Sequence, residues 1–379
     1  MKFVFAPDSF KGTLTSQEVT EILEKEARKV FHDVTTVSVQ IADGGEGTLE
    51  TLVGQTKGEY IRQSVLDPLG REIESGFGKL YENTAIIEMA KASGLPLLKK
   101  EERNPLRAST YGTGQLIRAA LDQNFKHIYI ALGGSATNDG GMGALTALGV
   151  RFLDEAGAEL EPAGENLIRI RDLDTKGLHP GGAGCKFTLI CDVKNPLVGA
   201  NGATYVFGRQ KGASDAMLDE LERGMLQYAF VVEEKYKVKI REIPGGGAAG
   251  GIGAALHFFL NAEIKPGIET ILDMLHFDEL LEGADLVVTG EGRLDWQSAF
   301  GKVPSGVGLR CKQKNIPAVA LVGAVGRNAS DIYEYGIDSV FTSVSSIVSE
   351  EEVMAHAREM VEDAANRMFR CIQVGRKLR

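Results

Sequence analysis

What most constrains this chain is the way its apolar runs end. Short stretches with strand character at residues 2–6, 36–41, 127–132, 186–192 and 284–289 give way directly to glycine and charge. Between such runs lie amphipathic segments. Residues 16–30 read as a helix with Thr15 or Ser16 as N-cap and Glu18 in its first turn, 305–314 as a second and 350–370 as a long closing one, with further strands at 317–322 and 339–343. Strand and helix alternating at both ends of a chain is the pattern of a parallel sheet with helices on its faces. In such sheets the residues just past the carboxyl ends of the strands line the ligand crevice.

The middle of the chain has a different texture. Residues 60–89 alternate in short segments punctuated by DPLG at 67–70 and GFG at 76–78, which predicts antiparallel strands joined by turns. A helix at 114–123, the strand at 127–132 and a helix at 141–148 then resume the α/β pattern. A chain of 379 residues also exceeds what one core usually serves. The expectation is an α/β protein of two domains. A parallel sheet is formed by both chain ends, residues 1–66 and 283–379, and a second α/β domain with a mixed sheet, residues 67–282, is inserted into it, leaving a cleft.

Composition removes several function classes. A net charge of −10 with no cluster of Lys and Arg argues against nucleic acid as a partner. The N-terminal apolar run meets Pro7 and Asp8 too soon for a secretory h-region, and the long glycine-rich apolar stretch 245–260 is interrupted by His257, so no membrane association is expected. Cys185, Cys191, Cys311 and Cys371 are scattered without a CxxC pair, which points to a reduced, cytoplasmic protein and not to zinc or disulfides.

The chemistry sits in the loops after the strands. They read Pro7-Asp8-Ser9-Phe10-Lys11-Gly12, then Asp43-Gly44-Gly45-Glu46-Gly47, then Gly133-Gly134-Ser135-Ala136-Thr137-Asn138-Asp139-Gly140-Gly141, then Asp192-Val193-Lys194-Asn195-Pro196, and finally Gly290-Glu291-Gly292-Arg293-Leu294-Asp295 with Gly301-Lys302. Glycine lets main chain approach a ligand and turn its N–H groups toward phosphate oxygens. Lys11 and Lys302 supply cations, and Asp8, Asp43, Glu46, Asp192, Glu291 and Asp295 are six carboxylates for a metal or a proton. Carboxylates alone repel phosphate; with Mg²⁺ between them the sign reverses.

Any one of these loops alone is only a turn, but five together favour a phosphate site, and the segment 133–141 is the strongest of them. The run 245–253 reads equally as a hinge or as a tight packing element. No P-loop and no dinucleotide fingerprint is present. His257 reads as a satisfied core or packing histidine, Trp296 as a turn anchor, and Asp154, Glu155, Glu159 and Glu161 as a solvated turn. Ser9 and Ser135 lack the elbow and histidine partner of a hydrolase nucleophile. These residues fit a phosphotransferase, a phosphate-ester hydrolase or a non-catalytic sensor of nucleotides or organic acids.

Taken in order, the five loops resemble those of the bacterial glycerate kinase family, from the N-terminus nearly to the C-terminus. The resemblance implies ATP-dependent phosphorylation of D-glycerate, usually to 2-phosphoglycerate, and a two-domain α/β architecture with one flavodoxin-like domain and the site in the cleft. Joined to the loop chemistry, it gives a set of expected roles. Gly133, Gly134, Ser135, Thr137, Asn138, Asp139, Gly140, Gly290 and Gly292 hold nucleotide phosphates, with Lys302 or Lys11, and Mg²⁺ is held by Glu291 or Asp295. Asp43 or Asp192 orients the reacting hydroxyl as general base. Asp8, Ser9, Lys11, Glu46, Asn195 and Arg293 contact the substrate, Lys11 and Arg293 being candidates for its carboxylate.

Overall fold

A computed structural model describes residues 1–42, 44–45, 47–295 and 301–378. The chain divides into two compact units, residues 1–43 with 267–379 and residues 44–266. The first begins with β1 (Lys2–Pro7), whose residues from Phe3 onward are buried. Thr15 then caps α1 (Ser16–Val30) through a reciprocal pair with Glu18, satisfying two N–H groups that a helix start leaves open. Parallel to β1 lies β2 (Thr35–Ser38), which ends three residues earlier than the apolar pattern suggests.

The second unit opens with α2 (Thr48–Thr56), followed by β3 (Glu59–Leu66), β4 (Glu72–Tyr81) and β5 (Thr84–Glu88), paired antiparallel. After them come α3 (Tyr111–Asp122), β6 (His127–Ala131), α4 (Met142–Ala147), β7 (Lys186–Ile190), α5 (Asp215–Tyr236), α6 (Ile252–Phe259) and β8 (Glu263–Lys265). Among the described residues the sheet has six strands in the order β8-β7-β6-β5-β4-β3, and β5 to β8 run parallel. The mixed sheet expected for this part of the chain is present.

Back in the first unit, the chain forms α7 (Gly267–Met274), β9 (Leu286–Gly290), α8 (Val303–Lys314), β10 (Ala318–Val322), β11 (Ser339–Thr342) and α9 (Glu350–Lys377). The five described strands are all parallel and stand in the order β11-β10-β9-β1-β2. Counted in chain order this is 2-1-3-4-5, the flavodoxin-like order, with its switch point between β1 and β9. Phe3, Phe5, Phe31 and Phe369 fasten α9 and the end of α1 to the sheet, the rings of Phe3 and Phe369 stacking at 6.0 Å. No helix among the described residues is long and apolar enough to cross a membrane.

Two expectations differ from the observed elements. The segment 76–78 is not a turn but the middle of β4, and the chain reverses at Glu82 and Asn83 instead. Its glycines serve packing: a Cβ on Gly76 would lie 2.2 Å from the Ile61 carbonyl oxygen, and one on Gly78 2.5 Å from a Val53 methyl. Residues 44–66 and 267–282 also fall in the units opposite to those the sequence reading gave them. β3 pairs along its whole length with β4 and α2 packs on β4, while Asp273 and Asp278 hold Arg310 of α8 at 2.5 and 2.8 Å.

Candidate functional site

In the first unit the carboxyl ends of the strands open into a cavity of about 400 Å³. Asp8, Ser9 and Lys11 after β1, Glu291, Gly292 and Arg293 after β9, and Lys302 at the N-cap of α8 line its polar side, while Phe10 with Val353, Met354 and Met360 of α9 lines the other. Glycine makes this convergence possible. A Cβ on Gly290 would meet the Leu321 carbonyl oxygen at 2.0 Å, and Gly292 lies against the main chain of Phe10, its would-be Cβ 3.3 Å from that residue's Cα. Asp8 is buried and turns its carboxylate back to the Ser9 N–H at 2.7 Å. Glu291 is also buried, with the Lys302 ammonium 3.8 Å from its carboxylate. Arg293 is exposed, and half-buried Asp295 packs its Cβ against Gly326 instead of lining the cavity.

The second unit carries the segment 133–141. Glu88, Ala131 and Ile190 are in register across β5, β6 and β7, so the loops that follow these three strands leave one edge of the sheet together. On that edge Gly133 is pressed against the glycines of the 42–47 segment: its would-be Cβ lies 3.1 Å from Gly45 Cα. Glu88, buried at the end of β5, accepts the Gly47 and Leu49 N–H groups at 3.3 and 3.2 Å and so ties the start of α2 to the same edge. Its burial raises the carboxyl above its usual range, against the N–H of Leu49. Asp43 and Glu46 lie outside the described residues. Asp192 follows β7 as an exposed residue, and Asn195 donates to the Asn201 carbonyl at 2.8 Å.

The loop itself is anchored at nearly every point except its amides. Asp139, fully buried, accepts from the Thr110 N–H and hydroxyl at 2.8 and 2.7 Å and from the Gly141 and Gly143 N–H groups at 3.1 Å each. Burial pushes this carboxyl upward and the four donors oppose it. The N–H groups at the start of α4 are therefore already engaged by the protein. The Asn138 side chain donates to Thr204 at 3.1 Å, Lys211 donates to the Thr137 carbonyl at 2.7 Å, and the Gly134 carbonyl and Ala136 N–H bond Leu95 and Ser93. By contrast, the main-chain N–H groups of Gly133, Gly134, Ser135, Thr137, Asn138 and Asp139 make no hydrogen bond to any described residue, although Thr137, Asn138 and Asp139 have no solvent exposure. Of these, Gly133 and Gly134, with Ser135 at their edge, lie on the accessible part of the loop, where an external acceptor can reach their N–H groups.

The run 245–253 is the bed under this loop. A Cβ on Gly250 would lie 2.1 Å from the Thr137 carbonyl oxygen and one on Gly251 2.8 Å from Gly140 Cα, and Gly140 donates to the Gly250 carbonyl at 2.9 Å. Of the two readings the sequence left open, this is tight packing. His257 sits exposed near the end of α6, bonded to the Ala262 carbonyl at 2.8 Å, and is no core histidine; Trp296 lies outside the described residues. Sequence reasoning missed Glu88, Thr110 and Lys211. Only Glu88 carried a signal, a charge closing an otherwise apolar strand.

Among the described residues no three His, Cys, Asp or Glu side chains are grouped to hold a metal. The oxygen donors present suit Mg²⁺ held by one or two carboxylates together with substrate phosphates, and not a cation caged by protein alone.

Comparison with known proteins bears on this arrangement directly: the model of the glycerate kinase family matches residues 3–373. The chain belongs to the glycerate kinase family. It is 41% identical over 379 residues to the glycerate kinase of Bacillus subtilis (strain 168), covering 100% of this chain and 99% of that protein. To the glycerate 2-kinase of Escherichia coli (strain K12) it is 42% identical over 376 residues, 99% of either chain. A crystal structure from Salmonella typhimurium LT2 assigned as glycerate kinase 2 superposes with a TM-score of 0.90 at 39% identity, covering 100% of this chain and 99% of that one. Membership makes the chain an enzyme, a kinase with an alcohol group as acceptor, and the family resemblance read from its five loops stands.

Proposed function

We propose that this chain transfers the terminal phosphoryl group of ATP to the 2-hydroxyl of D-glycerate, giving 2-phosphoglycerate, in the cytoplasm. The observation that carries the phosphate half is the run of unbonded, reachable amides at residues 133–135. Phosphoryl transfer asks a protein mainly for positioning and for charge neutralisation, and fixed N–H groups supply both without having to reorganise. In this reading the amides of Gly133, Gly134 and Ser135 receive phosphate oxygens, and Thr137, Asn138 and Asp139 hold the shape of the loop behind them. Lys302, beside Glu291, is a cation suited to a phosphate group. Gly290 and Gly292 keep the main chain around Glu291 free of side chains.

Glu291 and Asp295 are the proposed holders of Mg²⁺, which would supply positive charge to offset that of the phosphates. Lys11 and Arg293 are exposed cations suited to the substrate carboxylate, with Asp8, Ser9, Glu46 and Asn195 bonding its hydroxyls. Asp192 or Asp43 accepts the proton of the attacking hydroxyl. The test is ATP consumption by the purified chain with Mg²⁺, with and without D-glycerate. Consumption only when D-glycerate is present is expected; consumption without it is the behaviour of a hydrolase, and binding with no turnover that of a sensor. Asp192→Asn and Asp43→Asn identify the base: the correct one lowers kcat by at least about a hundredfold, and two variants within a few-fold of wild type would leave neither as base.

A further inference from the structure

Lys211 belongs to no loop that the sequence or the family motifs single out, yet it is among the most buried side chains of the second unit, 2% exposed. Its ammonium makes one hydrogen bond, to the Thr137 carbonyl at 2.7 Å. Asp139 is the carboxylate whose field reaches it. Burying an ammonium is costly, and one carbonyl is poor compensation, since an uncharged donor would satisfy it as well. The position therefore asks for more than a filled hole.

The geometry of the peptide shows what the lysine does. In a trans peptide the C=O and the following N–H point in opposite directions, and no cis peptide occurs among the described residues. Drawing the Thr137 carbonyl toward Lys211 thus turns the Asn138 N–H the other way, and that N–H is one of the buried, open amides. Around it, Thr137 Oγ1 and Asn138 Oδ1 are likewise buried with no hydrogen-bond partner, so the segment is held from one side and left open on the other.

We propose that Lys211 is a positioning residue for phosphate binding: by holding the Thr137 carbonyl it fixes the buried half of the 133–141 loop, and with it the orientation of the accessible amides at residues 133–135. This rests on the reading above that these amides take the phosphates of ATP. The test is steady-state kinetics of the full chain with Lys211→Met, which matches the side chain's shape without donor or charge. KM for ATP rises about tenfold or more, while KM for D-glycerate stays within about twofold and kcat changes less than KM for ATP. Lys211→Gln, which retains a donor, falls between the two. A folded Lys211→Met enzyme with unchanged KM for ATP, or with both KM values raised alike, overturns the proposal. Should Lys211→Met fail to fold, Lys211→Gln is read by the same criteria. The wild-type chain gives an independent reading by hydrogen exchange with ADP as probe. Protection gained at 133–141 together with 209–213 supports the coupling, and gain at the first segment alone contradicts it. Wild-type turnover of D-glycerate is measured alongside, so failure of the assigned reaction is distinguished from failure of the role given to Lys211.

Discussion

At the scale of single residues the chain is most informative where polar groups are buried. Asp139 collects four donors in a dry environment, so Asp139→Ala strands the Thr110, Gly141 and Gly143 N–H groups. The expected cost is about 3 kcal/mol or more of unfolding free energy, read from chemical denaturation. Lys211 gives a pH dependence of definite sign. Burial lowers its ammonium from 10.5 to about 7, with Asp139 opposing. Between those values the unfolded chain binds the proton and the folded chain does not, so this group makes the protein more stable as pH rises from 7 toward 10, by at most ~1.4 kcal/mol per pH unit. Wild type should therefore gain stability relative to Lys211→Met between pH 7 and pH 9; a difference that stays flat would mean the ammonium is not desolvated as described. Neither role was legible in the sequence: Asp139 reads there as a phosphate-binding member of the loop and nothing singles out Lys211, because burial by distant segments leaves no local mark.

At the scale of elements, local rules were legible and long-range packing was not. The Thr15 and Glu18 pair at the start of α1 follows from neighbouring residues alone, and the structure shows it. The glycines at 76 and 78 read as turn residues in the sequence because nothing nearby reveals that β3 and α2 press on them. The same close approach recurs beneath the phosphate loop. Gly250 adopts φ +74° and has the Thr137 carbonyl oxygen 2.1 Å from any added Cβ. Gly250→Ala therefore combines backbone strain with a direct push on the loop. Its expected effect is a higher KM for ATP and a lowered Tm. Gly54→Ala is the control: it lies within α2 with nothing within 4 Å of its would-be Cβ, so it should leave KM for ATP unaltered and, as alanine replacing glycine inside a helix, not lower the Tm. Equal effects from the two would argue against the packing explanation.

At the scale of the whole molecule, the alternation of strand and helix at the two chain ends sufficed for a parallel sheet, and the family resemblance for its flavodoxin-like order. Which residues join which unit was harder to read, since α2 and β3 follow β2 in sequence but find their partners in β4. The five loops were legible because parallel strands always deliver their following residues to one edge. How each loop is wired was not, because open and engaged amides look alike in sequence. The account depends above all on phosphoryl transfer to the small hydroxy acid, and phosphorus NMR of the chain incubated with ATP, Mg²⁺ and D-glycerate tests this most directly. ADP and 2-phosphoglycerate appearing in equal amounts is the expected result; inorganic phosphate accumulating with no phosphoglycerate would contradict it.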